Sequence, residues 1–212
     1  MLSATPRTSL GREKHRGSTD RNDLYQVLDT GLVCHLGVVA DGHPMVVPTC
    51  YGRIGDTLYL HGSTGARSLR AADGAEVCVT VTHLDGLVLA RSIFSHSVNY
   101  RSAVVYGRAR LVTDPDELMD GLRALSEQLV PGQWDYARRP SRKELAATAV
   151  LALSLEEASV KIRQGAPEDE DEDYALPVWA GVLPLVTAWG KPEPDPVLPE
   201  GIETPVHILR RE

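Results

Sequence analysis

Leu32-Val33-Cys34-His35-Leu36-Gly37-Val38-Val39-Ala40-Asp41-Gly42-His43-Pro44-Met45-Val46-Val47-Pro48-Thr49-Cys50-Tyr51 is the stretch that decides the fold. Its apolar run of period two predicts a strand over 32–39, and Ala40-Asp41-Gly42-His43 supplies a turn. Pro44 to Tyr51 returns as the second strand of a hairpin. Pro44 and Pro48 cannot donate to a ladder, so this second strand is predicted to be an edge or to carry a bulge. Gly52-Arg53-Ile54-Gly55-Asp56 turns again into Thr57 to His61, giving a meander of three closely spaced strands.

The same pattern extends in both directions. Asp20 is placed to cap a helix over 21–29, with Leu24, Val27 and Leu28 as its apolar stripe and Gly31 as its stop. Ser63 to Ala72 reads as a short helix, and Glu76 to Thr82 as a strand. Gly86 to Arg91 reads as another strand after a tight Asp85-Gly86 turn. Ser102 to Val112 predicts a long strand. Asp114-Pro115 opens a helix in which Leu118, Leu122, Leu125 and Leu129 share a face. Thr148 to Leu155 and Ser159 to Arg163 are the last strands. Six or seven strands with few helices predict a mainly β fold with flanking helices, closed as a barrel because closure removes exposed edges.

Composition narrows the function. The 212 residues are 42% hydrophobic and 24% charged, ordinary for a globular domain. Of the net charge of −7, six negatives come from Glu168-Asp169-Glu170-Asp171-Glu172-Asp173, which leaves about −1 for the rest. No basic surface suggests nucleic acid, and no long apolar run suggests a membrane span. Cys34, Cys50 and Cys78 lie in apolar runs and read as reduced thiols of a cytoplasmic protein. Residues 1–19 are predicted to be a flexible arm, 20–164 the barrel domain and 165–175 a solvated acidic loop. Residues 176–212 are predicted to be an extended tail that packs on the barrel or on a second subunit.

Three stretches carry candidate chemistry. His61-Gly62-Ser63-Thr64-Gly65-Ala66-Arg67-Ser68 joins a strand end, two glycines and a helix start, so backbone N–H groups, Ser63, Ser68 and Arg67 could cradle a phosphate. Ser95 to Ser102, with Asn99, Tyr100, Arg101 and Ser102, is a donor-rich loop suited to a planar polar ligand. Val46, Val47, Pro48 and Thr49 offer backbone groups that a proline-bearing strand leaves free. An N-cap, a polar turn and a plain edge strand are the competing structural readings. No CxxC pair or HExxH motif offers metal-ligand spacing, and His35, His61, His83 and His96 could form a metal cluster only if the fold gathered them, so no metal site or nucleophile motif is predicted.

Asp29–Gly37, His43–Thr49, Leu58–Ser63, Leu84–Ser92, His96–Ser102 and Pro177–Pro184 together resemble the pyridoxamine 5′-phosphate oxidase-like, FMN-binding split-barrel superfamily. The similarity is greatest to its flavin-nucleotide-binding branch, which includes nitroimidazole-resistance proteins. The resemblance implies a six-stranded split β-barrel of Greek-key character, a homodimer, and FMN in each groove between subunits. It implies that Val46 to Thr49 lie along the flavin ring. His61, Gly62, Ser63, Arg67 and Ser68 would hold its phosphate end, and Asn99 to Ser102 would reach it, in one version from the neighbouring subunit. Trp179 would pack near the ring or at the dimer interface. The family's functions imply a flavin-dependent oxidoreductase that passes electrons from NAD(P)H to a small, for example nitroaromatic, acceptor. Storage or sensing of FMN and a haem-binding split barrel are the alternatives. His207 and Arg210-Arg211 do not restore the oxidase's basic C-terminal signature, so vitamin B6 oxidation is not expected. No catalytic side chain is assigned.

Overall fold

The computed structural model describes residues 1–211. The deciding hairpin forms as β2 (Val33–Ala40) and β3 (His43–Ile54), after β1 (Gly17–Ser18) and α1 (Arg21–Thr30). Asp41 and Gly42 take φ of 52° and 79°, the left-handed pair that a two-residue hairpin turn requires. Asp20 caps α1 by accepting from the Asn22 amide. The carbonyls at the other end of α1 are satisfied from outside it. Tyr51 donates its hydroxyl to Leu28 O at 2.5 Å, and Gln128 Nε2 donates to Leu28, Asp29 and Gly31 O.

The chain continues through β4 (Thr57–Ser63), α2 (Arg67–Ala72), β5 (Glu76–Leu89), β6 (Ser97–Arg108) and β7 (Arg110–Leu111). Then come α3 (Pro115–Leu129), α4 (Gln133–Tyr136), α5 (Arg142–Ala146), β8 (Thr148–Ser154), β9 (Glu157–Arg163), β10 (Gly181–Pro184) and α6 (Val206–Leu209). The strands follow the order β1-β9-β6-β5-β2-β3-β4-β8-β7, with β10 added to β5. This is a split β-barrel built from antiparallel pairs. It has ten strands where six were expected: β1, β7 and β10 are short additions, and the remaining seven carry the barrel.

Long β3 makes the barrel bend. Its first half pairs with β2 and its last four residues pair with β4. Residues 43–50 therefore have β2 on one side and a free edge on the other, as the prolines predicted. The interior is filled by Leu36, Tyr51, Leu58, Leu60, Val79, Val81, Leu151 and Leu153, all at most 1% exposed. Each such burial contributes about 2 kcal/mol. A second cluster of Tyr59, Val112, Leu125, Val150 and Ala152 seats α3 on the outside of β4 and β8. Gly52 permits this close approach, since a Cβ there would stand 2.4 Å from the Ala124 carbonyl carbon.

Five expectations change. Asp85-Gly86 is a bulge inside continuous β5 and not a turn, because both flanks keep pairing with β6. The long strand predicted over 102–112 instead begins at Ser97 and breaks at Ala109. There the Ala109 amide bonds Ala75 O, and the chain crosses to β8. The 63–72 helix starts only at Arg67. The N-terminal arm is held: Leu2 N bonds Thr19 O, Arg7 pairs with Glu76 and Glu157, and β1 joins β9. Finally, the acidic loop is not wholly solvated. The Asp169 side chain is 0% exposed, and the Arg91 and Ser92 amides and Arg91 Nη1 donate to it.

No helix among the described residues is long and apolar enough to cross a membrane.

Candidate flavin site

The predicted site residues fall into two groups on the fold. The first gathers at one end of β3, β4 and α2. Val46 is 67% exposed on the free edge, Pro48 is exposed, and Val47 and Thr49 are half-buried beside it. His61 lies two residues before the end of β4, opposite Val150, exposed and with no side-chain hydrogen bond. Partial burial nevertheless lowers its pKa from the ordinary histidine value, so it is neutral at neutral pH. Next, the Ala66 amide donates to Ser63 O, and the Gly65 amide donates to Ser63 Oγ at 3.2 Å. Ser63 is thus a turn residue and not the helix cap. The N-cap position falls on Ala66, which has no capping side chain.

Arg67 occupies the first position of α2 rather than one turn in. Its guanidinium reaches the hairpin turn and pairs with Asp41 at 2.7 Å, with the two side chains 62% and 78% exposed. A pair so open to water is worth under about 1 kcal/mol, which makes the arginine exchangeable for an anionic ligand. Ala40, Asp41, Arg67, Arg70 and Ala71 line a cavity of about 470 Å³. Asp41 and Arg70 escaped the sequence reading. Only the tertiary approach of the turn to α2 reveals them.

The second group lies on β6 and β10. Asn99 is buried, accepts from Arg163 Nη1 at 2.6 Å and donates to Gly165 O at 3.1 Å. Arg101 makes a two-pronged pair with Asp85 at 3.0 and 2.9 Å. Ser102 donates to Lys161 O, and Tyr100 is half-buried between β5 and β9. Asn99, Ser102 and two of the three Arg101 guanidinium nitrogens therefore have partners within the chain. Trp179 is 66% exposed, with its ring lying over Gly181 at the start of β10.

The two groups do not meet in one chain. β5, β2 and β3 stand between β6 and β4, a path of about 19 Å at the usual strand spacing, and the packed core fills the interior. No three His, Cys, Asp or Glu side chains among the described residues are grouped for a metal ion. His83 and His96 are bonded to the Val27 and Ala90 carbonyls. A larger cavity of about 860 Å³ lies between α3 and the tail, walled by Arg53, Arg123, Trp189 and Arg211. Its lining includes no His, Cys, Met or Tyr to meet a haem iron.

An open antiparallel ten-stranded sheet, in which β3 bends from β2 to β4, defines a split barrel. The family model described as pyridoxamine 5′-phosphate oxidase matches residues 20–162, and the chain belongs to this oxidase-like family. The structure of the flavocytochrome Anf3 from Azotobacter vinelandii is similar at 39% identity and TM-score 0.94, over 99% of this chain and 98% of that one. The FAD and haem binding protein from Mycobacterium smegmatis is similar at 43% identity and TM-score 0.87, over 92% and 96%. A protein of Bacteroides thetaiotaomicron ascribed to 5-nitroimidazole resistance shares the fold at 21% identity and TM-score 0.59. That match covers 69% of this chain and 86% of that one. No curated protein matches the chain.

Proposed function

We propose that this chain is a dimeric flavin-binding redox protein that also carries a haem. One observation supports it above the others. The flavocytochrome and the FAD and haem binding protein share this chain to 99% and 92%, whereas the nitroimidazole-type structure covers 69%. The likeness to the haem-bearing pair thus includes the extension beyond the barrel.

The residues present fit a flavin phosphate. Arg67 and Arg70 border an open cavity, and Gly65 would have room even for a Cβ, whose nearest atom would be Ser63 Oγ at 3.7 Å. The free edge at Val46 to Thr49 would lie along the ring, and Ser68 would add a hydroxyl. The nucleotide is FMN or, as in the mycobacterial neighbour, FAD; both present the same ring and first phosphate. Bound flavin supplies hydride acceptance and one-electron transfer, and haem supplies electron storage and oxygen chemistry. The protein's part is to hold and orient. A neutral His61 can donate to a phosphate or offer its lone pair to iron. The electron donor is NADH or NADPH, and the acceptor is a small molecule. The three unpaired thiols suit the cytoplasm, and burial pushes Cys34 up to about 12, so it is inert.

The visible spectrum of the purified protein tests the proposal. Flavin bands with a Soret band support it, and the released flavin is identified by chromatography. A protein that shows neither and binds neither on titration overturns it. Flavin that stays oxidised under anaerobic NADH and NADPH assigns storage in place of turnover. His61→Ala separates the roles of that ring: loss of the Soret band alone marks a haem ligand, and loss of flavin alone marks a phosphate contact.

A further inference from the structure

The tail beyond β10 is anchored at two places. The Leu185 amide bonds Asp85 O. Farther on, α6 docks on α4, with His207 Nε2 2.9 Å from Gln133 Oε1 and its ring 5.2 Å from that of Tyr136. Thr187, Trp189 and Arg211 of the tail face α3 across the cavity of about 860 Å³, whose other wall is the end of α1 and of β3. The Arg211 guanidinium lies over the Trp189 ring at 4.3 Å, tying two distant parts of the tail together at this wall. The volume is that of a small-molecule site. No lining residue is shared with the cavity at Arg67 and Arg70.

A gap left by imperfect packing would be lined by apolar groups or by polar groups already paired. Part of this lining is of that kind. Arg53 is taken up by Asp29 and Gly55 O, and Glu127 accepts from the Gly132 and Trp134 amides. Three charges are left over. Arg123 and Asp120, both on α3, make no side-chain hydrogen bond or ion pair among the described residues. Asp135, whose carboxyl feels the Arg123 charge, is bound instead to Arg139 at 2.7 Å. Arg211 Nε is buried with no hydrogen-bond partner. Such an orphaned donor is costly, and an acceptor brought into the cavity would satisfy it. Beside it the Trp189 ring remains 51% exposed, so apolar ring surface is left for a planar group.

We infer that the cavity between α3 and the tail is a second ligand site, and that it takes a purine nucleoside phosphate. Each unused group has a matching part of that ligand. Arg123 and Arg211 offer forked N–H donors to phosphate oxygens. Trp189 offers a stacking surface to the base. Asp120 accepts from the amino group of the base or from a ribose hydroxyl. An apolar ligand would leave all three charges unused, and a small inorganic anion would leave the indole and Asp120 unused. The nucleoside phosphate is a free nucleotide or one half of the dinucleotide electron donor, and both present the same chemistry. The first source is independent of the flavin reading, and the second rests on it.

Calorimetric titration of the purified protein with AMP, GMP, adenosine and inorganic phosphate tests the site. AMP or GMP is expected to bind, with adenosine and phosphate each weaker by about tenfold or more. Arg123→Ala/Arg211→Ala and Trp189→Ala should each weaken the nucleotide by about tenfold or more, while Trp189→Phe stays within about threefold of wild type. All three keep the wild-type far-UV spectrum, and Arg67→Ala/Arg70→Ala keeps the wild-type nucleotide affinity. The inference is overturned if neither nucleotide binds, if phosphate alone binds as tightly, or if Arg123→Ala/Arg211→Ala binds like wild type. It is overturned equally if Arg67→Ala/Arg70→Ala abolishes the binding, which would place the nucleotide at the other cavity. The source is read in two further arms. Displacement of AMP by NADPH, with a raised KM for NADPH and an unchanged kcat of flavin reduction in Arg123→Ala/Arg211→Ala, assigns the electron donor. Nucleotide binding with unaltered reduction kinetics assigns a free nucleotide. A protein that holds no flavin still reports on the site through AMP or GMP, so the two readings fail separately.

Discussion

The turn His61 to Ser68 and the strand Asn99 to Ser102 read alike as sequence, both dense in donors and both beside a strand end. In the fold they are opposites. At the turn, Arg67 is held by one solvent-exposed carboxylate, and the Ser68 and His61 side chains make no hydrogen bond within the chain. On the strand, Asn99 is buried against Arg163 and Gly165, and Arg101 is locked to Asp85. A polar side chain is available to a ligand only where its own chain leaves it unsatisfied. Residue type therefore nominates a site, and the hydrogen-bond partners decide it.

Four measurements sharpen or break that contrast. Arg163→Ala should have the largest effect on folding. It leaves Asn99 Oδ1 buried without its donor and frees the start of the acidic loop, for a loss of about 2–3 kcal/mol and a melting temperature lower by roughly 8 °C. An unchanged melt would break the reading of this strand as scaffold. Arg67→Ala/Arg70→Ala should do the reverse, weakening flavin binding about 10- to 100-fold in titration while the melting temperature stays within about 2 °C of wild type.

Arg101→Ala is expected to cost about 1 kcal/mol, since both partners are about a third exposed. It also carries a pH signature. The Arg101 guanidinium holds the Asp85 carboxyl below its usual range. The stabilisation is complete above the ordinary carboxylate pKa and is lost as pH falls through the lowered value. Chemical denaturation from pH 6 down to pH 2 should show a smaller acid loss in the variant. Ser102→Ala, removing a 3.3 Å bond to Lys161 O, should cost about 0.5 kcal/mol and leave flavin affinity unchanged.

Much of the first group was legible. Asp41-Gly42 between period-two runs specifies a hairpin turn, and Pro44 and Pro48 mark the free edge by lacking N–H groups. Asp114 and Pro115 open α3 as expected, with the cap accepting from the Asp116 and Glu117 amides. Other features escaped for physical reasons. Asp85-Gly86 has the same composition in a turn and in a bulge, and only continued pairing with β6 distinguishes them. Asp169 sits in a run of six acids, and nothing local marks the one that becomes buried.

The local grammar of this chain was thus written in its residues: strand period, proline edges, capped helices, and a glycine-lined turn with an arginine beside it. These depend on interactions within a few positions, where backbone sterics and missing donors act whatever the rest of the molecule does. Tertiary structure alone decided which polar groups were already satisfied, that Asp41 meets Arg67, and that the two halves of the expected site lie three strands apart. Burial and hydrogen-bond satisfaction are set by partners distant in sequence, such as Arg163 for Asn99 and Asp169 for Arg91, and no local pattern encodes them.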